Sequence, residues 1–246
     1  VAVGSFRKSL EQGFCVPKLR MEADNSRFLR AQGLYHPLLR EAVQNNLCVK
    51  KGVLLTGSNA SGKSTFLRAV AVNAQLAQTV HTCAATAYEA PFYRIYSSMS
   101  LRDDLAGGDS YYMVEIKSIK RILDQAEREE VRPVLCFVDE VLRGTNTVER
   151  IAASTQIMKK LASGRALCFA ATHDVELTKL LAQEYDNYHF EERIEENDIY
   201  FPYKLMEGSA STRNAIALLR MLKYDERITA GAEAMAERFL RDGNWK

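Results

Sequence analysis

The sequence predicts an α/β fold: a mainly parallel central sheet flanked by helices on both faces, with a helical C-terminal appendage. Three observations carry this expectation. An apolar run, Val53-Leu54-Leu55-Thr56, turns through Gly57-Ser58-Asn59-Ala60-Ser61-Gly62-Lys63-Ser64-Thr65 into an alanine-rich stretch that continues to Thr79. Two further runs, residues 134–138 and 166–171, are continuously apolar, as strands buried on both faces are. Segments of helical periodicity follow each of them. At 246 residues the chain can bury a full core and suits one large domain, or one domain with appendages.

Residues 1–33 are mixed and weakly patterned. Leu34-Tyr35-His36-Pro37 is a compact apolar and turn cluster, and 38–46 leads toward the first clear strand. A segment in that place either passes beside a bound base or is an edge strand or connecting loop. The run from Gly57 to Thr65 then stands where a buried strand becomes a helix, the context a phosphate-binding loop requires. Its glycines let the backbone curl so that successive N–H groups point at phosphate oxygens, and the new helix adds its positive N-terminal end. In such a loop Lys63 reaches the outer phosphates and Ser64 ligates Mg²⁺.

The helix over 63–78 packs on the sheet through Ala, Leu and Val, and 79–99 reads as short strands interrupted by Pro91. The chain next becomes polar and ends in Asp103-Asp104-Leu105-Ala106-Gly107-Gly108-Asp109-Ser110, ahead of a helical pattern over 113–130. Two glycines and a serine at the mouth of a helix form a second anion site, or Ser110 is a plain N-cap. The strand at 134–138 closes with Asp139-Glu140. Adjacent carboxylates at the end of an apolar strand are costly without a partner. A metal and a water supply one, the first acid holding Mg²⁺ through its water shell and the second polarising the attacking water. The alternative is a helix N-cap beside a surface acid.

Arg143-Gly144-Thr145-Asn146 reads as a turn, and the helix over 148–162 carries a stripe of Ile151, Ile157, Met158 and Leu161. The strand at 166–171 ends in Thr172-His173-Asp174, at the sheet edge where ligands bind in open α/β folds, which favours a γ-phosphate contact for His173. A helix over 175–183 follows, then strand-like runs at 185–190 and 199–204 joined by an acidic turn, 191–198. Gly208 breaks the pattern before helices over 211–222 and 225–240.

A formal net charge of +2 announces no nucleic-acid surface. The five cysteines are odd in number and form no Cys-x-x-Cys pair, which argues against a disulfide framework or a zinc site. A reducing compartment, the cytoplasm, is expected. No run approaches the ~18 apolar residues of a membrane span and no signal peptide is visible. Because the first residue is Val, the chain is read as part of a longer protein.

Together these stretches resemble the ATPase domain of the MutS family, a branch of the ABC-type P-loop ATPases, over about residues 35–240. The discriminating stretch is the family signature, Asp-Asp-Leu-Ala, a small residue, Gly, a basic residue, Ser, then a hydrophobic pair ahead of Met-Val-Glu. It is matched by Asp103 through Glu115, with Asp109 in place of the basic residue. His36-Pro37 matches a His-Pro pair upstream, and the loop keeps Gly57, Asn59, Gly62, Lys63, Ser64 and Thr65. The Asp-Glu-x-x-Arg-Gly-Thr run is kept from Asp139 to Thr145. Asn187-Tyr188-His189 is similar to the segment whose histidine packs on adenine, Val43 lies near the position flanking the other face of the base, and Leu205 to Ala215 resembles the lead into the dimer-forming helices.

The resemblance implies a head-to-tail dimer around two Mg²⁺-ATP, each held by the loop of one copy, with Ser110 of the other completing the site. Its implied parts are a lead-in at 1–33, an ATPase core at 34–206 and a helical dimerisation element at 207–246. It also implies a DNA-repair role, with DNA gripped by domains absent from this chain and other repair proteins as partners. Asp109, beside an incoming phosphate, should weaken closure unless a cation intervenes. The rival readings are an ABC-type ATPase that powers a transporter and a slow nucleotide switch for a protein partner. Against the transporter, the start of the helix reads Gly107-Gly108-Asp109-Ser110 rather than Leu-Ser-Gly-Gly-Gln.

Overall fold

The computed structural model describes residues 2–21, 26–99, 110–128, 130, 132–142, 144–195, 198–210 and 215–244. The chain forms two compact units, Val1–Phe190 with Tyr203–Ala210, and Glu191–Pro202 with Ser211–Lys246. In chain order the first unit runs α1 (Ala2–Ser9), β1 (Lys18–Arg20), β2 (Leu29–Leu34), β3 (Asn45–Val49), β4 (Gly52–Thr56), α2 (Lys63–Thr79), β5 (Ala87–Pro91) and β6 (Arg94–Ser98). It continues with α3 (Tyr111–Ala126), β7 (Val134–Asp139), α4 (Thr147–Ser163), β8 (Ala166–Ala171), α5 (Val175–Leu180) and β9 (Tyr185–His189). The second unit then holds β10 (Arg193–Glu195) and β11 (Asp198–Tyr200), β12 (Met206–Glu207) returns to the first, and α6 (Ala215–Met221) and α7 (Glu226–Asp242) complete the second.

The main sheet has the order β12-β9-β4-β8-β7-β6. Its strands are parallel from β9 to β6, and only β12 runs antiparallel. Both faces are covered, so successive residues of the central strands enter different cores. Val53, Leu55, Leu135, Phe137, Leu167 and Phe169 share one core with Phe66, Leu67, Val70 and Ala74 of α2. Leu54, Val134, Cys136, Val138, Cys168 and Ala170 enter the other, with Ile119 and Ile122 of α3, Met158 and Leu161 of α4, and Leu177 of α5. The register pairs Ala171 with both Leu55 and Asp139, which sets the carboxyl ends of β4, β8 and β7 level with one another.

A second sheet, β1-β5-β2-β3, shares the first core. It draws in β1 and β2 from the weakly patterned first 33 residues. The six residues of β2 do alternate, with Leu29 and Ala31 buried and Arg30 and Gln32 exposed, but the strand is too short to announce itself. The short strands expected over 79–99 do break at Pro91, which ends β5 opposite Arg20 of the edge strand β1, where a missing N–H is tolerated. Helix α5 stops at Leu180, short of the expected 183. In the second unit, β10, inside the stretch read as an acidic turn, pairs antiparallel with β11, which takes up only Ile199 and Tyr200 of the strand-like run at 199–204. Helix α7 opens on Asp225, whose carboxylate accepts the Arg227 N–H at 2.8 Å. Among the described residues no helix is long and apolar enough to cross a membrane.

Asn73 fastens α2 in place. Fully buried, it donates from Nδ2 to the carbonyls of Tyr35 and Ala69, each at 2.9 Å, and accepts the Ala84 N–H at 2.6 Å. Asn73→Leu would orphan the Ala84 N–H and the Tyr35 carbonyl, and is expected to lower stability by about 2–5 kcal/mol. A urea unfolding midpoint that falls at constant slope is the measurement.

Candidate functional site

The run Gly57–Thr65 leaves β4 and enters α2. Gly57 has φ 139° and Gly62 φ 108°, values open to glycine and strained for other residues. A Cβ on Gly57 would stand 2.5 Å from the Phe190 carbonyl oxygen, and one on Gly62 would stand 3.0 Å from Cδ1 of Tyr203. The loop therefore lies against its neighbours by backbone alone. Lys63, nearly buried, folds back on the loop and donates to the carbonyls of Gly57 at 2.8 Å and Ser58 at 2.7 Å. Ser61 Oγ is buried without a hydrogen-bond partner among the described residues.

Beside the loop is a cavity of about 490 Å³. Asn59, Ala60, Ser61, Gly62, Lys63, Ser64 and Thr65 form its polar wall, with Glu140 at the side. Val43, Leu39, Phe190 and Tyr203 add apolar and aromatic surface to its lining. His36 also lines it, and burial, with Arg68 nearby, pushes its imidazole below the ordinary histidine value, so that it stands neutral at pH 7. The lining thus combines a loop of amides with a lysine, suited to an anion, and apolar and aromatic side chains, suited to something flat.

Asp139 ends β7 and Glu140 follows in a left-handed conformation, φ 65°. The Glu140 N–H donates to the Ala171 carbonyl at 3.0 Å, which fixes this turn to the end of β8. His173 extends from the same strand end, and its Nε2 stands 3.1 Å from Glu140 Oε1. The His173 segment is held in turn by Asp174, which takes a bidentate pair from Arg150, Nε to Oδ2 at 2.8 Å and Nη2 to Oδ1 at 2.6 Å. The Asp174 carboxylate raises the guanidinium pKa further above its ordinary value.

The donor set suits Mg²⁺. Ser64 and Asp139 offer a hydroxyl and a carboxylate, the hard oxygen ligands that ion prefers. The orphaned Ser61 hydroxyl and the backbone-only cradle at Gly57 and Gly62 fit a phosphate beside it.

The fold thus brings residues 59–65 of the loop, Val43 and Glu140 to one cavity and His173 to Glu140. Gly57, Ser58, Asp139, Ser110 and His189, all expected at the site, do not line this cavity. Ser110 is exposed and caps α3, its Oγ accepting the Met113 N–H at 3.4 Å. His189 does not line the cavity: its Nδ1 lies 3.0 Å from the Gly208 carbonyl oxygen, at the end of β9. The aromatic wall comes from Tyr203, which the sequence reading missed. Its carbonyl accepts from Asn45 Nδ2 at 3.0 Å across 158 positions of chain, a pairing no local pattern signals. The signature residues 103–109, and Arg143 of the Asp139–Thr145 run, fall outside the described residues.

The family model described as MutS domain V matches residues 53–240. DNA mismatch repair protein MutS of Thermus aquaticus is 34% identical over 207 residues, covering 82% of this chain and 25% of the relative. The protein of the same name from Thermotoga maritima is 30% identical over 228 residues, covering 89% of this chain and 28% of the relative. The chain spans about a quarter of the length of the curated relatives it matches.

Proposed function

The chain belongs to the MutS family, and from that premise we propose that it is an ATP-binding and ATP-hydrolysing module, working as a head-to-tail homodimer that couples nucleotide state to a DNA clamp in mismatch repair. The observation that carries this reading is the cavity lined by Lys63, Ser64 and Glu140 together with aromatic and apolar side chains. The residues from Gly57 to Thr65 hold the phosphates through backbone N–H groups, and Lys63 exchanges its two loop carbonyls for phosphate oxygens. Ser64 and Asp139 would hold Mg²⁺, which would neutralise phosphate charge. Glu140 takes the proton of the attacking water, and His173, aligned by the Arg150–Asp174 pair, contacts the γ-phosphate. Little covalent chemistry is asked of the protein, so position and charge do the catalysis.

The base rests between Val43 and Tyr203, and His189 serves the site by fixing β9 against Gly208. Ser110 completes the site of a second copy, since a helix N-terminus that caps itself still presents N–H groups to an anion. The core at 34–206 carries the nucleotide and 207–246 the dimer contacts. DNA and other repair proteins engage the parts of a longer protein that surround this domain.

Tyr203→Ala separates the two halves of the cavity. An aromatic platform under a base is worth about 1–3 kcal/mol, so the variant is expected to bind ATP at least about five-fold more weakly. Its affinity for inorganic tripolyphosphate should be unchanged. Calorimetric titration with both ligands is the measurement, and equal affinity for ATP in variant and wild type would remove the base from this wall.

A further inference from the structure

The carboxyl group of Glu115, 2% exposed, is buried in the second turn of α3, the helix that Ser110 caps. Its Oε1 accepts the Leu142 N–H at 2.7 Å. Leu142 and Glu140 are both left-handed, with φ 58° and 65°. Two such non-glycine residues within three positions persist only where the surroundings over-determine them.

Helix α3 provides much of that constraint. Besides the Glu115 bond, Tyr112 lies so close to Gly144 that a Cβ added there would stand 2.9 Å from its Cδ2. From the other side, Ser154 Oγ of α4 donates to the Val141 carbonyl at 3.3 Å. The turn that presents Glu140 is therefore gripped by the first two turns of α3. A helix transmits displacement over two turns almost rigidly, because each turn is closed by its own hydrogen bonds.

We propose that Glu115 is a positioning residue that ties α3 to the Glu140 turn, so that seating Ser110 on a partner's nucleotide also sets the Glu140 carboxylate of its own site. The inference rests on the ATPase reading above and adds to it a route by which each site reports its closure to the other. The link to the Leu142 N–H needs an acceptor oxygen at this position. Glutamine carries such an oxygen at the same reach.

The test is steady-state ATP hydrolysis by the full chain, wild type against Glu115→Gln, Glu115→Leu, Ser110→Ala and the Ser110→Ala/Glu115→Leu double variant. Glu115→Gln is expected to stay within about three-fold of the wild-type kcat, while Glu115→Leu falls by about ten-fold or more with KM for ATP nearly unchanged. The double variant should be no slower than the slower single one, because both cut one linkage. Glu115→Leu at wild-type rate, effects that multiply, or Glu115→Gln as slow as Glu115→Leu would each overturn the proposal. A wild type that hydrolyses no ATP would sink the ATPase reading itself, an outcome distinct from all three. If Glu115→Leu fails to fold, hydrogen exchange at the Leu142 amide decides. A non-hydrolysable ATP analogue should change its protection in wild type and not in Ser110→Ala, and an equal change in both would remove the link.

Discussion

Glu140→Gln is expected to leave ATP binding intact and to slow hydrolysis by about 10²–10⁴-fold, the usual size of a general-base contribution. Glutamine keeps the side-chain volume and an oxygen toward His173, which stands 3.1 Å from Glu140 Oε1. It keeps the N–H bond to the Ala171 carbonyl as well, since that bond is made by the backbone. What it loses is the basicity needed to take a proton from water. Equilibrium binding of a fluorescent ATP analogue and single-turnover phosphate release, measured on the same preparation, separate the two effects. Hydrolysis within a few-fold of wild type would move the base to another residue. Loss of binding and hydrolysis together would mean that the left-handed turn at φ 65° collapses when its carboxylate is changed.

That turn also marks the boundary of what a sequence of this kind discloses. Strands β4, β7 and β8 are legible because runs buried on both faces have no alternation to misplace, and the loop Gly57–Thr65 is legible because its glycines sit where only glycine fits. Asp139-Glu140 is visible as chemistry, since two acids closing an apolar strand ask for an explanation. The conformation of Glu140 is not visible, because nothing in its residue type favours positive φ; the turn is held from elsewhere, by the Ala171 carbonyl on β8 and by Glu115 on α3. Tyr203 is hidden for the same reason, its place being fixed by Asn45 far away in the chain. The bond between His189 Nδ1 and the Gly208 carbonyl oxygen, at 3.0 Å, is likewise made to a residue outside the local Asn-x-His pattern. Local pattern therefore finds the elements and the charged chemistry, and tertiary hydrogen bonds decide which side chains meet.

A mixed dimer of Ser110→Ala and Lys63→Ala subunits is expected to hydrolyse ATP faster than either parent homodimer. If Ser110 acts across the interface, the subunit that keeps Lys63 receives the partner's Ser110, and one composite site holds both groups. The other site lacks both. If Ser110 acts within its own subunit, each site lacks one group and the mixture gains nothing. Both changes need a folding control: alanine at the N-cap of α3 forgoes the bond from the Met113 N–H, a loss of about 1 kcal/mol, and Lys63→Ala removes two bonds that close its loop. The rate itself then carries a second message. Independent sites would leave about half of the wild-type activity, by counting sites alone. The intact site, however, uses Glu140 of the subunit whose own Ser110 is gone. If Glu115 joins those two groups, turnover must fall below one half while one ATP per dimer stays tightly bound, and Glu115→Leu placed in that same subunit should slow it no further. A mixed dimer faster than both parents would require action of Ser110 across the interface, because no other arrangement of the two lesions leaves a whole site.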